Sequence, residues 1–290
     1  MLQLFANLSA EQANICSLVL ASAGISYRIR KDPHGWAVWV QQERYEEAYQ
    51  AMAAYFRENR DDLDPEMPER YRPPSEGRFV EALFAAVFLM AFHIAFQYTG
   101  AHESIVHGFG ASAEAIWRGE VYRAVTALMI HGDGVHLAGN MLGITVFGAA
   151  VTAEMGWGFG WLLILASGVC GNLLNAGLYA GGHLSIGAST AVFGAVGILV
   201  GIQMVRRFIR RKGRRLAVLA PLAGGLALLG FMSSGENVDI MAHLFGFAAG
   251  IGIGTGWGLC VRAEPGWGMQ ALSLAFVFCL IFLAWSSGGI

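Results

Sequence analysis

The sequence is poor in charged residues. Aspartate, glutamate, lysine and arginine make up only 14% of its 290 residues, whereas 55% are hydrophobic. Soluble domains carry about 25% charged residues, so this composition excludes a chain that is soluble throughout. The 19 basic and 21 acidic residues leave a net charge of −2. Because nucleic-acid-binding domains are usually basic, we expect no nucleic-acid partner.

Cysteine is also scarce, and the motifs of metal chemistry are absent. The four cysteines lie far apart without a C-x-x-C pair, at Cys16, Cys170, Cys260 and Cys279. We predict buried thiols, with neither a disulfide framework nor a metal site. The H-E-x-x-H pattern of zinc proteases does not occur. We therefore expect no metal and no cofactor.

The first 60 residues are more polar than the rest and predict a small soluble α/β domain. Strand-like patterns cover 2–5, 25–30 and 36–40. Ser9, with Gln12 three residues later, is a capping box that predicts a helix ending at Gly24, and 43–58 has helical periodicity. The predicted order is βαββα. Residues 61–77, with four prolines among acidic residues, predict an extended linker.

Seven apolar blocks then follow, each long enough to span a bilayer. They cover 79–98, 125–153, 157–179, 187–205, 216–232, 240–261 and 269–285. The connection 100–122, which contains Trp117-Arg118, is too polar to span and is predicted to lie at the interface. The predicted fold is an all-α polytopic membrane protein: a core of six helices at 78–262, and an additional C-terminal helix at 263–290.

A run of basic residues sets the orientation of these spans. Residues 206–215 contain seven arginines and lysines between the fourth and fifth blocks. By the positive-inside rule this loop is cytoplasmic. The N-terminal domain is then cytoplasmic and the C-terminus lies outside. Spans two, four and six all begin on the outer side.

Four polar residues converge at that outer side. His136 and Asn140 lie four residues apart, on one face of span two. Ser189 lies in the first turn of span four, and His243 lies about one turn into span six. A rise of about 1.5 Å per residue puts all of them at a similar depth. Ionisable groups inside a membrane are costly, so these residues are candidates for function.

Glycines predict that spans four and six pack closely. Small residues let helix backbones approach each other in membranes. Span four contains Gly194, Gly197 and Gly201, and span six contains Gly246 and Gly250 as a G-x-x-x-G pair. This contact would bring His243 within hydrogen-bond reach of Ser189.

The chemistry that these residues favour is acyl transfer. Ser189 is a weak nucleophile alone, and His243 can accept its proton and return it to a leaving amine. His136, Asn140 and the Ser189 N–H can stabilise the oxyanion. Phe193, one turn after Ser189, can pack against the imidazole. A lone Ser189 would more often be a helix cap or a small packing residue.

Several alternatives stay open or are disfavoured. Asp239, one turn before His243 on the same face, could orient the imidazole. His131 and His136 would lie about 140° apart on one helix, which makes them poor co-ligands. Asp133 and Asp239 both sit at loop edges, which disfavours an intramembrane aspartyl protease. The remaining histidines of the apolar region, His93, His102, His107 and His183, are expected to be interfacial or structural.

Taken together, these motifs resemble the rhomboid family of intramembrane serine proteases. The resemblance covers roughly 78–261 and is carried by Trp117-Arg118, His131…His136…Asn140, Gly187-Ala188-Ser189 and Ala242-His243-Leu244-Phe245-Gly246. It implies a six-helix core with a water-filled cavity open to the outside. It also implies Ser189 as nucleophile, His243 as base, and His136 and Asn140 as oxyanion-side residues.

The resemblance further implies transmembrane proteins as substrates and the lipid bilayer as environment. The N-terminal domain is similar to the cytoplasmic domain of bacterial rhomboids, which implies a bacterial inner membrane. The sequence departs from the family at Thr190, where glycine often follows the serine, and at Phe193, where tyrosine is frequent. A non-catalytic rhomboid-like chaperone and a transporter are the alternatives. Inactive relatives would lack the serine or the histidine, and transporters often show internal repeats, which are absent here.

Overall fold

The structure is a computed structural model, and it describes residues 1–32, 35–58, 76–179, 181–209, 219–232, 239–261 and 265–288. These residues form two compact units, one on each side of the gap at 59–75. Of the predicted linker at 61–77, only Glu76 and Gly77 are described, and they open a helix. The predicted turn residues Pro33 and His34 lie outside the described residues.

The N-terminal unit is a three-stranded sheet with two helices. Its elements are β1 (Leu2–Leu8), α1 (Ala10–Ser22), β2 (Tyr27–Asp32), β3 (Gly35–Val40) and α2 (Tyr45–Glu58). The strand order is β1-β3-β2, and both neighbours of β3 are antiparallel to it. The capping box is confirmed, because Ser9 Oγ accepts from the Gln12 N–H and Gln12 Oε1 accepts from the Ser9 N–H. Leu20, Val38, Val40 and Met52 lie in the core of this unit.

The second unit is mostly helical, and its described residues contain six helices that are long and apolar enough to cross a membrane. These are α3 (Glu76–Tyr98), α7 (Gly134–Met155), α8 (Trp157–Tyr179), α9 (Ser189–Ile209), α11 (Ile240–Cys260) and α12 (Trp267–Ser287). The fifth predicted block contains a shorter helix, α10 (Ala220–Met232), of 13 residues. At about 1.5 Å per residue, α10 is shorter than the ~30 Å apolar core of a bilayer.

The second span begins later than its apolar composition predicted. Residues 123–129 form a short helix, α6 (Arg123–Thr126), and a 3-10 turn, and α7 starts only at Gly134. The Asp133 carboxylate caps α7 by accepting from the N–H groups of Val135 and His136. Hydropathy could not locate this break because the residues on both sides of it are apolar.

The polar connection before α7 folds over one end of the helices. It contains α4 (His102–Phe109), β4 (Ala111–Ser112) and α5 (Ala113–Trp117). Strand β4 pairs with β5 (Leu184–Ser185), which lies four residues before Ser189. The Trp117 indole N–H donates to the Ala176 carbonyl of α8. The connection is therefore ordered, and it is hydrogen-bonded to the segment before α9 through the β4–β5 pairing.

Helix α9 lies at the centre of the second unit. In the most apolar stretch of α9, 72% of the residues are buried inside the protein. The corresponding share is 44% or less in each of the other five long helices. Its last turn contains Arg206 and Arg207, which were predicted to belong to the basic loop. The Arg206 guanidinium pairs with the Glu154 carboxylate of α7. Residues 210–215 of that loop lie outside the described residues.

Glycines bring the backbones of α9 and α11 together. A methyl group at Gly246 would overlap the Thr190 carbonyl oxygen, and one at Gly250 would overlap the Gly194 carbonyl oxygen. Gly197 and Gly201 of α9 face α11 in the same way, and Gly254 of α11 faces Ile198 of α9. The close approach predicted from the glycine pattern is confirmed.

The C-terminal helix α12 is attached at both ends. The buried amide of Gln270 accepts from the N–H groups of Gly158 and Phe159 and donates to the Met155 carbonyl. At the other end, the Trp285 ring stacks on Phe109 with ring centroids 4.6 Å apart. The additional helix is therefore packed against α8 and against the connection that covers the bundle.

The prediction of buried thiols is wrong for three of the four cysteines. Cys16 is buried, but Cys170, Cys260 and Cys279 are exposed on their helices. In a membrane protein, a residue that faces lipid is in surroundings as apolar as the core. An apolar neighbourhood in sequence therefore does not distinguish the two locations.

We predict that Gly250→Ala destabilises the membrane unit by about 1–3 kcal/mol, because its methyl group overpacks the contact with Gly194. Gly252→Ala is the matched control on the same helix, since nothing lies within 4 Å of its methyl position. The free energy of unfolding in detergent checks both variants. Equal stability of the two variants would contradict the close contact.

Candidate active site

Ser189 is the first residue of α9 and is half-buried. The segment before it is held on two sides. The Gly187 N–H donates to the Ala127 carbonyl, and the Ala188 N–H donates to Nε2 of His131. Burial lowers the pKa of His131 to about 3, so its imidazole is neutral and can accept this hydrogen bond. This places the hydroxyl of Ser189 among the free N–H groups of a helix start.

Gly187 lies between Ser189 and His136. Its backbone has a φ of +118°, a region that favours glycine. A methyl group there would lie 2.6 Å from Nε2 of His136 and 3.6 Å from Oγ of Ser189. The absent side chain is therefore what lets the half-buried imidazole of α7 reach the start of α9.

Asn140 is buried one turn further along α7. Its amide Nδ2 donates to the His136 carbonyl at 3.0 Å. A primary amide has two N–H groups, so this bond leaves the second for another acceptor. His136 and Asn140 share one face of the helix, as their spacing predicted.

His243 is buried in the first turn of α11 and packs on α9. Its ring lies against Phe193, with centroids 4.5 Å apart and an angle of 34° between the planes. The prediction that Phe193 packs against this imidazole is confirmed. One turn further along α11, Gly246 contacts Thr190, the residue after Ser189. The start of α9 and the first turn of α11 are thus in direct contact.

Sequence reasoning assigned no role to His183, yet it is part of a polar cluster at the start of α11. Asp239 caps α11 by accepting from the Ala242 N–H at 3.0 Å. Its other oxygen lies 2.7 Å from Asn175 Nδ2 of α8 and 2.7 Å from His183 Nε2. Ser185 is also near this carboxyl group and helps to lower its pKa. We call Asn175, His183, Ser185 and Asp239 the Asp239 cluster.

The Asp239 carboxylate is ionised in this cluster. Burial alone would raise its pKa, but the hydrogen bonds from the Ala242 N–H, His183 and Ser185 outweigh burial and lower it. An ionised carboxylate can only accept hydrogen bonds. Nε2 of His183 therefore carries a proton, and its ring is further held by stacking on Tyr179 at 4.0 Å.

The geometry of His131 and His136 differs from the one predicted. The prediction placed both on one helix, about 140° apart, but α7 begins between them and their ring centroids lie only 5.3 Å apart. Across the described residues, however, no group of three or more histidine, cysteine, aspartate or glutamate side chains is arranged to hold a metal ion.

The fold and this site define a class: a multi-pass helical membrane protein with a serine and several imidazoles gathered where α7, α9 and α11 begin. Residues 118–260 match the family model described as "Rhomboid domain". The chain belongs to the rhomboid family.

Proteins with related sequences carry the same family name. The chain is 30% identical over 165 residues to Rhomboid-like protease 1 of Toxoplasma gondii, covering 56% of each. It is 30% identical over 175 residues to Rhomboid protease GluP of Bacillus subtilis, covering 59% of this chain and 33% of that protein. It is 28% identical over 155 residues to Rhomboid-type serine protease 2 of Emericella nidulans, covering 53% of this chain and 29% of that protein. The chain spans about half the length of the first and about a third of the others.

We predict that Gly187→Ala costs about 1–3 kcal/mol of stability, because it combines a strained backbone with a clash against His136. The free energy of unfolding in detergent measures this cost. Gly181→Ala is the control in the same loop, since its methyl position is open. If Gly187→Ala were as stable as Gly181→Ala, the assigned contact with His136 would be wrong.

Proposed function

We propose that this chain is an intramembrane serine endopeptidase that hydrolyses peptide bonds in or near the spanning helices of other membrane proteins. The observation that carries the proposal is the contact between two helix starts. Ser189 opens α9, and His243 in the first turn of α11 packs on Phe193 of the same helix. Membership of the rhomboid family supports the same activity.

In the proposed reaction, Oγ of Ser189 attacks the carbonyl carbon of the scissile peptide bond while His243 takes the hydroxyl proton. The tetrahedral intermediate then expels the amine, which receives this proton from His243. Water, activated by the same imidazole, hydrolyses the resulting ester and restores the hydroxyl. A Ser-His dyad is sufficient for this chemistry, as in other variants of the serine triad.

The oxyanion of the intermediate needs donors at the start of α9. The Ser189 N–H belongs to the first turn, where helix N–H groups are free and the helix dipole favours negative charge. The half-buried imidazole of His136 lies on the other side of Gly187, and Asn140 has a second amide N–H. We assign the oxyanion to these groups, with Gly187 and Gly246 as the small residues that allow the approach.

The proposed architecture is a six-helix rhomboid core with α12 as a seventh helix and a cytoplasmic α/β domain. Basic residues at 206–215 support a cytoplasmic location for the end of α9. The start of α9 would then lie near the outer leaflet of a bacterial inner membrane, with the C-terminus outside. Substrate helices loosened by small residues or proline would be cut there, because an intact helix hides its carbonyls.

A non-catalytic chaperone is the alternative for a protein of this family, and a specific experiment separates it from a protease. We expect a fluorophosphonate probe to label the parental protein at Ser189, because the nearby imidazole activates its hydroxyl. Mapping of the modified residue by mass spectrometry checks this. A protein that binds membrane helices without cleaving them would stay unlabelled.

We predict that Ser189→Ala and His243→Ala each abolish probe labelling and cleavage of a transmembrane reporter, while the protein remains folded. Ser286→Ala and His107→Ala are matched controls, since both side chains are exposed and lie outside the proposed site. Cleavage by either dyad variant at the parental rate would show that the dyad is wrongly assigned.

We predict that His136→Ala and Asn140→Ala lower turnover by about one to three orders of magnitude, as expected for the loss of an oxyanion donor. Turnover of the transmembrane reporter is the measurement. The effect should fall on kcat because these bonds form mainly in the transition state. Unchanged kcat in both variants would remove them from this role.

A further inference from the structure

The Asp239 cluster joins the two chain segments that lead into the proposed dyad. Asp239 lies four residues before His243, and Ser185 lies four residues before Ser189. His183, in the same loop as Ser185, lies 2.7 Å from the Asp239 carboxylate and links the two segments. Ser185 also helps to lower the pKa of this carboxyl group.

Asn175 fixes this link to the rest of the bundle. It is 1% exposed in the penultimate turn of α8, and its Nδ2 lies 2.7 Å from the Asp239 carboxylate. Tyr179, one turn later on α8, stacks on the His183 ring. A rigid helix thus holds both the carboxylate and its histidine partner.

Besides the packing of its ring on Phe193, the position of His243 depends on one contact on each side of it along α11. On one side Asp239 is held by the cluster, and on the other Gly246 rests against Thr190. Loss of the first contact would remove the hydrogen bond between the start of α11 and Asn175 of α8. A tilt at the first turn would move the imidazole relative to Ser189.

We propose that the Asp239 cluster is a positioning device for the catalytic dyad, in which Asp239 acts on His243 through the position of the α11 start. This inference rests on the proposed function. We assign Asp239, His183, Asn175 and Ser185 as positioning residues, because Asp239 contacts Asn175, His183 and the start of α11. A misplacement of about 1 Å can lower the rate of a reaction by about 100-fold.

The test separates this role from helix capping. Asp239→Ser keeps a good N-cap oxygen for the Ala242 N–H but has no second oxygen for Asn175 and His183. His183→Ala removes one donor, and His183→Gln restores an N–H donor at a similar reach. Glu103→Gln is the control, an exposed carboxylate of the outer connection.

The measurement is the concentration dependence of fluorophosphonate labelling at Ser189 by the full chain in detergent. We expect Asp239→Ser and His183→Ala to lower the maximal labelling rate about 10–100-fold, with an unchanged half-saturating probe concentration. His183→Gln should recover most of the rate, and all variants should remain folded at the assay temperature. A role in stability alone would change the unfolding temperature without this pattern.

Three outcomes would overturn the inference. Parental labelling rates in both Asp239→Ser and His183→Ala would overturn it while leaving the proposed function intact. A loss in Asp239→Ser with no loss in His183→Ala would show that the carboxylate acts without the cluster. An unlabelled parental protein would overturn both the proposed function and the positioning role.

Discussion

The contact between the α9 and α11 backbones is the constraint on which the site depends. Lipid offers no hydrophobic driving force for helices to associate, so they must gain contact by approaching closely. Gly197, Gly246 and Gly250 allow this approach because a methyl group at each would overlap the opposite helix. The same approach puts the first turn of α11 against the start of α9. The packing of these two helices and the geometry of the candidate site therefore have the same cause.

The start of a helix is a favourable place for the proposed chemistry. Free N–H groups and the dipole of α9 surround Ser189 without any additional side chain. The sequence departures at this point are compatible with the geometry. Thr190 is buried against Gly171 and Gly246, and Phe193 holds the His243 ring without a hydroxyl. The elements at this end of the bundle serve to hold the helix starts in place.

Prediction succeeded where local composition carries the information. Helix periodicity, glycine spacing and the Ser9 capping box all concern residues within a turn or two of each other, and the structure has them as predicted. Prediction failed where one helix ends and the next begins within a single apolar stretch of sequence. Residues 124–130 are strongly apolar and directly precede the break, so hydropathy extended the span across them and only the Asp133 cap marked the true start of α7. The exposed cysteines were misplaced for a related reason, since lipid and protein interior favour the same residues.

By itself, the sequence determined that the chain is a multi-pass membrane protein and which residues are candidates for its chemistry, because apolar length and the choice of residue types are local properties. Only the tertiary structure decided which polar groups meet. The hydrogen bonds of Asp239 join residues 56 and 64 positions apart in the chain, and His131 reaches Ala188 across 57 positions. Helix packing and loop closure bring these residues together. Local sequence patterns do not predict such contacts, because the residues lie far apart in the chain.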